Sequence, residues 1–259
     1  MRIPVNRRVR NFAIVFAAFM VPGTLFLAFG SGPAQAGDAS LSVALQTQLA
    51  DTGQQLYEEH CASCHGEGAV GTSIAPPIIG LGPANWDFQM STGYMPLANP
   101  KSQPIRKPPV LSPAEIQAVI AYLESLQPGG TPIPEVNPGA GNLSEGERIF
   151  QLNCAPCHST SGNGGAVGPQ VAPNLHQATP KQIGEAVRIG PGTMPVFNEN
   201  VITPQQLDSL VAYVLTLRDP QHPGGFALGY GGPIVEGFVA ILIGLGALVL
   251  VTRFIGERS

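Results

Sequence analysis

All four cysteines of the 259-residue chain fall inside two copies of one short pattern, Cys61-Ala-Ser-Cys64-His65 and Cys154-Ala-Pro-Cys157-His158. Two thiols one helical turn apart, followed at once by an imidazole, suit the attachment of a c-type haem. Each thiol can form a thioether to a haem vinyl group, and the adjacent histidine lies under the iron as its proximal ligand. The competing chemistries fit less well. Zinc sites built from two C-x-x-C pairs usually separate them by about 15–20 residues, whereas Cys64 and Cys154 stand 90 positions apart. Thioredoxin-like redox pairs need a βαβ setting that the pattern does not show. Disulfides form readily outside the cytoplasm but leave the histidine after each pair unexplained.

A sixth iron ligand is sought in the loops that follow. Met90 and Met95 are the candidates in the first half. Gly93-Tyr94-Met95-Pro96 is echoed by Gly192-Thr193-Met194-Pro195, and Met90 has no counterpart. The expected ligand pairs are therefore His65 with Met95 and His158 with Met194, with His176 as an alternative in the second half. Thioether–imidazole ligation raises a haem potential relative to two imidazoles. With both iron faces occupied, electron transfer is favoured over substrate chemistry. Pro76 and Pro173 follow the two motifs at similar distances. They are either ordinary loop prolines or carbonyl partners that fix the histidine tautomers. Trp86, the single tryptophan, either packs on a haem edge or fills a core. No nucleophile triad, phosphate loop or distinctive carboxylate pair accompanies these residues.

The elements that must position this chemistry are duplicated. Gly53, Leu56, Tyr57 and the first motif recur as Gly146, Ile149, Phe150 and the second at an offset of 93, so each lobe begins with a helix leading into its cysteines. Ser112-Pro113 and Thr203-Pro204 place an N-cap hydroxyl before a proline at the first helical position. Ile116, Val119, Ile120 and Leu123, like Leu207, Leu210, Val211 and Val214, then repeat at helical spacing. The Gly/Pro-rich stretches between these helices read as loops, without a strand pattern. The boundaries expected are a cytochrome-like domain over 44–127, a semi-extended linker over 128–142, a second domain over 143–218 and another linker over 219–232.

The flanks address the protein to a membrane. Residues 1–36 combine a basic start, an apolar run over 12–29 and Ala34-Gln35-Ala36, which reads as a signal peptide or an uncleaved N-terminal anchor. Residues 233–253 read as a transmembrane helix, with Arg253 and Arg258 at its C-terminal end. The positive-inside rule sets both arginine clusters in the cytoplasm and the lobes on the opposite, extracytoplasmic side. Between Gly37 and Gly232 there are 15 acidic residues against 7 basic, which argues against nucleic acid as a partner. The fold class expected is mainly α, with two tandem lobes and a C-terminal span.

The paired motifs, Ser91-Thr-Gly-Tyr-Met-Pro96, and the run Leu228-Gly-Tyr-Gly-Gly-Pro233 before the final span together resemble the dihaem cytochrome c subunit of the actinobacterial cytochrome bc1 complex, a menaquinol:cytochrome c reductase. Each lobe resembles a class I cytochrome c domain. The resemblance implies two covalent haem c groups on Cys61, Cys64, Cys154 and Cys157, ligated by His65, Met95, His158 and Met194. It also implies cytochrome b and Rieske subunits as partners, and an aa3-type cytochrome c oxidase as electron acceptor. A free-standing membrane-tethered dihaem carrier is the alternative, and a haem sensor would require an open iron.

Overall fold

The computed structural model describes residues 35–218 and 233–256, with side chains over 44–218 and 235–256. The leader expected over 1–36, apart from its last two residues, and the linker expected over 219–232 lie outside the described residues. The chain divides into units 1–48 and 49–259; the second holds the C-terminal part of α1, the rest of both lobes and the C-terminal helix.

The first lobe is built from α1 (Gln35–His60), a single turn α2 (Ala62–His65), α3 (Pro83–Ser91) and α4 (Pro113–Leu126). The second follows with α5 (Leu143–Asn153), the turn α6 (Ala155–His158), β1 (Gly165–Val167), β2 (Gln170–Ala172), α7 (Pro180–Ile189) and α8 (Pro204–Thr216). Three helix starts share one device. Ser112, Thr179 and Thr203 each accept a bond from the backbone N–H three residues on, and the side-chain oxygens of Glu115, Gln182 and Gln206 accept one from the cap backbone N–H. Each cap contributes about 1 kcal/mol.

Two features depart from the sequence reading. The stretches expected as loops contain α3 and α7, and the second lobe has an antiparallel hairpin in which Ala166 pairs with Val171. Strands of three residues are too short to show an alternating pattern.

In each lobe the helix entering the motif packs on the last helix. Tyr57 meets Tyr122 with ring centroids 5.4 Å apart, and Phe150 meets Tyr213 at 5.5 Å. A glycine sits at each crossing: a Cβ on Gly53 would collide with the Ala118 carbonyl, and one on Gly146 with that of Ser209. Around the first crossing, Tyr57, Trp86, Ile116, Val119, Ile120 and Leu123 form one core. Ile149, Phe150, Ile183, Leu207, Leu210 and Val211 belong to the other. Trp86 is a core residue, and its indole N–H donates to Ile78 O at 2.8 Å.

The lobes meet along a seam where α3 lies against α7. Gln182 Oε1 accepts from Arg106 Nη2 at 3.0 Å, and Gln182 Nε2 donates to Ser91 Oγ at 3.0 Å. Gln103 pairs with both backbone groups of Val171. The connecting segment is stapled to both sides. Thr131 exchanges backbone bonds with Leu81 and Ala84, while the Asn137 and Asn142 amides donate to Asp208 Oδ1 and Ser209 Oγ.

After 232 the chain forms α9 (Pro233–Val239), a π-helical stretch (Ala240–Leu245) and α10 (Gly246–Gly256). The most apolar 18-residue stretch within Val235–Gly256 has a mean hydropathy of 2.5, and none of it is buried. Twenty-two residues of helix reach about 33 Å, enough to cross a hydrocarbon core. Phe238, Leu242, Val249 and Leu250 are all more than half exposed. A soluble protein has no use for such a surface, and a bilayer covers it, so the helix fits a membrane anchor.

Candidate functional site

Each motif begins where a long helix ends. The Cys61 N–H closes the last turn of α1 on Tyr57 O at 2.8 Å, and the Cys154 N–H does the same for α5 on Phe150 O, also at 2.8 Å. A new single turn starts there. His65 N donates to Cys61 O at 2.9 Å, and His158 N to Cys154 O at 2.8 Å. Gly66 and Ser159 follow with positive φ, 78° and 62°, which turns the chain away after the histidine. None of the four cysteines is in a disulfide, and all are half-buried. Burial, and then the neighbouring Cys64, push the Cys61 thiol up to about 11. Burial and then Cys157 push the Cys154 thiol up to about 12. As free groups these are protonated thiols, held back from persisting as reactive thiolates.

The histidines are oriented identically. His65 Nδ1 lies 2.9 Å from Pro76 O, and His158 Nδ1 lies 2.9 Å from Pro173 O. A carbonyl only accepts, so Nδ1 carries the proton in both rings and Nε2 keeps its lone pair. That is the tautomer an iron ligand requires. Of the two readings offered for these prolines, the carbonyl-partner reading describes the geometry. Burial lowers the His158 pKa, which keeps the ring neutral, and its bond to Pro173 acts the other way.

Met95 and Met194 are both half-buried, each on a loop following the middle helix of its lobe. Met194 packs against the second core; Met90, without a counterpart in the repeat, packs against the first. Both loops are braced by residues that sequence reasoning missed. Arg188, at the end of α7, donates through Nη1 to Phe197 O at 2.8 Å and Ile202 O at 2.7 Å, gripping the segment that carries Met194. In the first lobe Met95 N donates to Gln89 O at 3.0 Å, Lys107 Nζ bonds Pro96 O, and Thr92 Oγ1 donates to Phe88 O at 2.6 Å. A lone basic residue at a helix end carries no signal for this role. His176 is otherwise engaged: its Nε2 donates to Ser161 O at 2.8 Å.

The donor set fits a covalent haem in each lobe: two unpaired thiols, an imidazole with its Nε2 lone pair free and a loop methionine. Exposed aliphatic side chains, Val70 and Ile74 after the first motif and Val196 just past Met194, suit an apolar macrocycle as neighbour.

Comparison with known proteins gives the same duplicated arrangement. The family model described as cytochrome c oxidase, cbb3-type, subunit III matches twice, over residues 48–123 and 141–214. The cytochrome bc1 complex cytochrome c subunit of Mycobacterium tuberculosis is 35% identical over 267 aligned positions, covering 98% of this chain and 93% of that protein. Its counterpart from Corynebacterium diphtheriae is 32% identical, covering 86% of both chains. The cbb3-type cytochrome c oxidase subunit FixP of Bradyrhizobium diazoefficiens is 26% identical over 72% of this chain.

Proposed function

The chain belongs to the cytochrome c subunits of the bc1 complex, the quinol–cytochrome c reductase of respiratory electron transfer, and from that premise we propose that it is a fixed two-haem relay. It takes electrons from the Rieske iron–sulfur protein, beside cytochrome b, and delivers them to an aa3-type cytochrome c oxidase. The lobes sit on the extracytoplasmic side, held by the C-terminal helix. The observation that carries the reading is the repeated site, with the same thiol spacing and the same Nδ1-to-proline-carbonyl bond in both lobes of one chain. Bound haem iron supplies a reversible one-electron couple. The chain's own residues would hold it: the four cysteines would tether it, His65 and His158 would offer Nε2, Met95 and Met194 would offer their thioethers, and Arg188 and Lys107 hold the methionine loops.

Two expected results follow from this arrangement. Denatured, purified chain retains two haems by intact mass, through Cys61, Cys64, Cys154 and Cys157; one haem or none would sink the reading.

Function in place is tested in membranes. The first lobe region, 37–127, has 8 acidic residues against 3 basic, and the second, 143–218, has 5 against 4. A shuttle steered by long-range charge would dock poorly in salt. An anchored relay already in contact with its neighbours has no such weakness. Quinol-to-oxygen turnover should therefore survive washing with concentrated salt and need no added soluble cytochrome c. Loss of turnover on washing, restored by a soluble cytochrome, would instead indicate a free-standing tethered carrier.

A further inference from the structure

Each lobe contributes one carboxyl side chain to the seam between α3 and α7, and both are shut away from water. Asp87 is 1% exposed and Glu185 0%. Asp87 Oδ1 is reached by Gln117 Nε2 at 3.4 Å. Lys181 Nζ stands 2.7 Å from Asp87 Oδ2 as an ion pair, without the angle of a hydrogen bond. Neither oxygen of Glu185 has any donor. The other charged groups around α7 are committed or lie to one side. Arg106, from the segment after α3, bonds Gln182, with Tyr94 close to it; Arg188 grips the loop beyond α7. At the neighbouring Gly184 the surroundings are apolar: Leu207 of α8, and Pro134 and Val136 of the connecting segment. The seam thus holds two acids and two cations, of which Arg106 is bonded to Gln182 and Lys181 is the one set against an acid.

Two buried carboxylates cannot both stay ionised beside one amine. Burial first, and then the facing Asp87, push Glu185 up to about 9, with Lys181 pulling the other way. A protonated Glu185 has an O–H to donate, and Asp87 Oδ2 is an oxygen without a hydrogen bond.

We propose that Asp87 and Glu185 share a single proton as a latch between the lobes, a pair of positioning residues that holds the two cofactor-bearing halves in register and loosens when the proton leaves. The latch keeps the haems in a fixed mutual geometry; that consequence rests on the relay reading, while the latch itself does not. The sign follows from linkage. The docked lobes hold a proton that separated lobes release at neutral pH, so docking weakens as pH climbs from the ordinary carboxylate range toward about 9. Above that, a bare carboxylate pair opposes closure.

The full-length, haem-loaded chain in detergent tests this through two readouts other than turnover. Infrared absorption at pH 7 should show the carbonyl stretch of a protonated carboxylic acid, absent in Glu185→Gln and titrating away with a midpoint near 9. Gadolinium spin labels on Gln55→Cys in α1 and Glu147→Cys in α5, both exposed positions, should give a narrow distance at pH 7 that broadens as the band disappears. Glu185→Gln keeps a neutral donor toward Asp87, so its distance should stay narrow throughout. A wild-type distance unchanged to pH 10, a carboxylic band that survives Glu185→Gln, or broadening equal in Glu185→Gln and wild type would each overturn the latch. If Glu185→Gln does not fold, the wild-type titration decides alone. Haem content by mass separates the two ideas: two haems with no latch leave the relay standing, and a titrating latch without two haems leaves the relay lost.

Discussion

Met194→Ala should convert one of two closed haem sites into a site that binds carbon monoxide, and Met95→Ala should do the same in the other lobe. Removing the thioether leaves His158 or His65 as the remaining protein ligand, and a small molecule can enter the vacated position. The potential of that haem should fall, because axial-ligand choice alone spans about 0.8 V, and electron flow through the relay should slow with it. The side effects differ between the lobes. Met194 packs on the second core, so its truncation also removes half-buried contacts and costs about 1–2 kcal/mol. Met95 stands off the first core and should change ligation with little loss of stability. Met90→Ala is the control: it should loosen the first core and leave carbon monoxide unbound. A difference spectrum with carbon monoxide and a redox titration read both effects. Carbon monoxide binding in Met90→Ala and not in Met95→Ala would show that the ligand loop is misassigned.

Gly146→Val should disable the second lobe, and Gly53→Val the first. At both positions the new side chain meets a backbone carbonyl of the facing helix, Ser209 O or Ala118 O, with Tyr213 or Tyr122 next to it. Overpacking costs about 1–3 kcal/mol when side chains can move aside. A helix backbone cannot, so the cost here is about 3 kcal/mol or more. Glycine inside a helix sacrifices about 1 kcal/mol of propensity, and both lobes accept that loss at the same place because close approach requires it. A whole domain is stable by only about 5–15 kcal/mol, and lobes this small stand toward the low end. The helices entering the motifs are the ones displaced, so each variant should also lose haem from its own lobe and keep the other. Intact mass and thermal unfolding check this. Full haem content and an unchanged midpoint in Gly146→Val would contradict the crossing.

Much of the candidate site was legible because its signals are local. Cysteine spacing, the adjacent histidine and the repeated Gly-x-Met-Pro depend on neighbours in sequence, as does the apolar span after Pro233. The capped helices α4 and α8 were read from Ser112-Pro113 and Thr203-Pro204. Thr179-Pro180-Lys-Gln182 carries the same signature and marks α7, yet it lies in a Gly/Pro-rich stretch that reads as loop. The start of α3 offers less, since Gly82 has no side chain to cap it. Other features could not be read at all. Asp87 and Glu185 are polar residues on exposed-looking helix faces, and both are buried where α3 lies against α7. That pairing joins residues 98 positions apart, and no periodicity encodes it.

The stapled connector changes what the seam must achieve. Because Thr131 is fixed to the first lobe and Asn137 to the second, only a handful of residues lie between the two attachment points. The lobes behave as ligand and receptor on one short leash, at an effective concentration on the order of millimolar. Contacts too weak to assemble two separate proteins can therefore keep these halves together most of the time. A seam of that strength also gives way to small changes, and the loss of one proton is a change of that size.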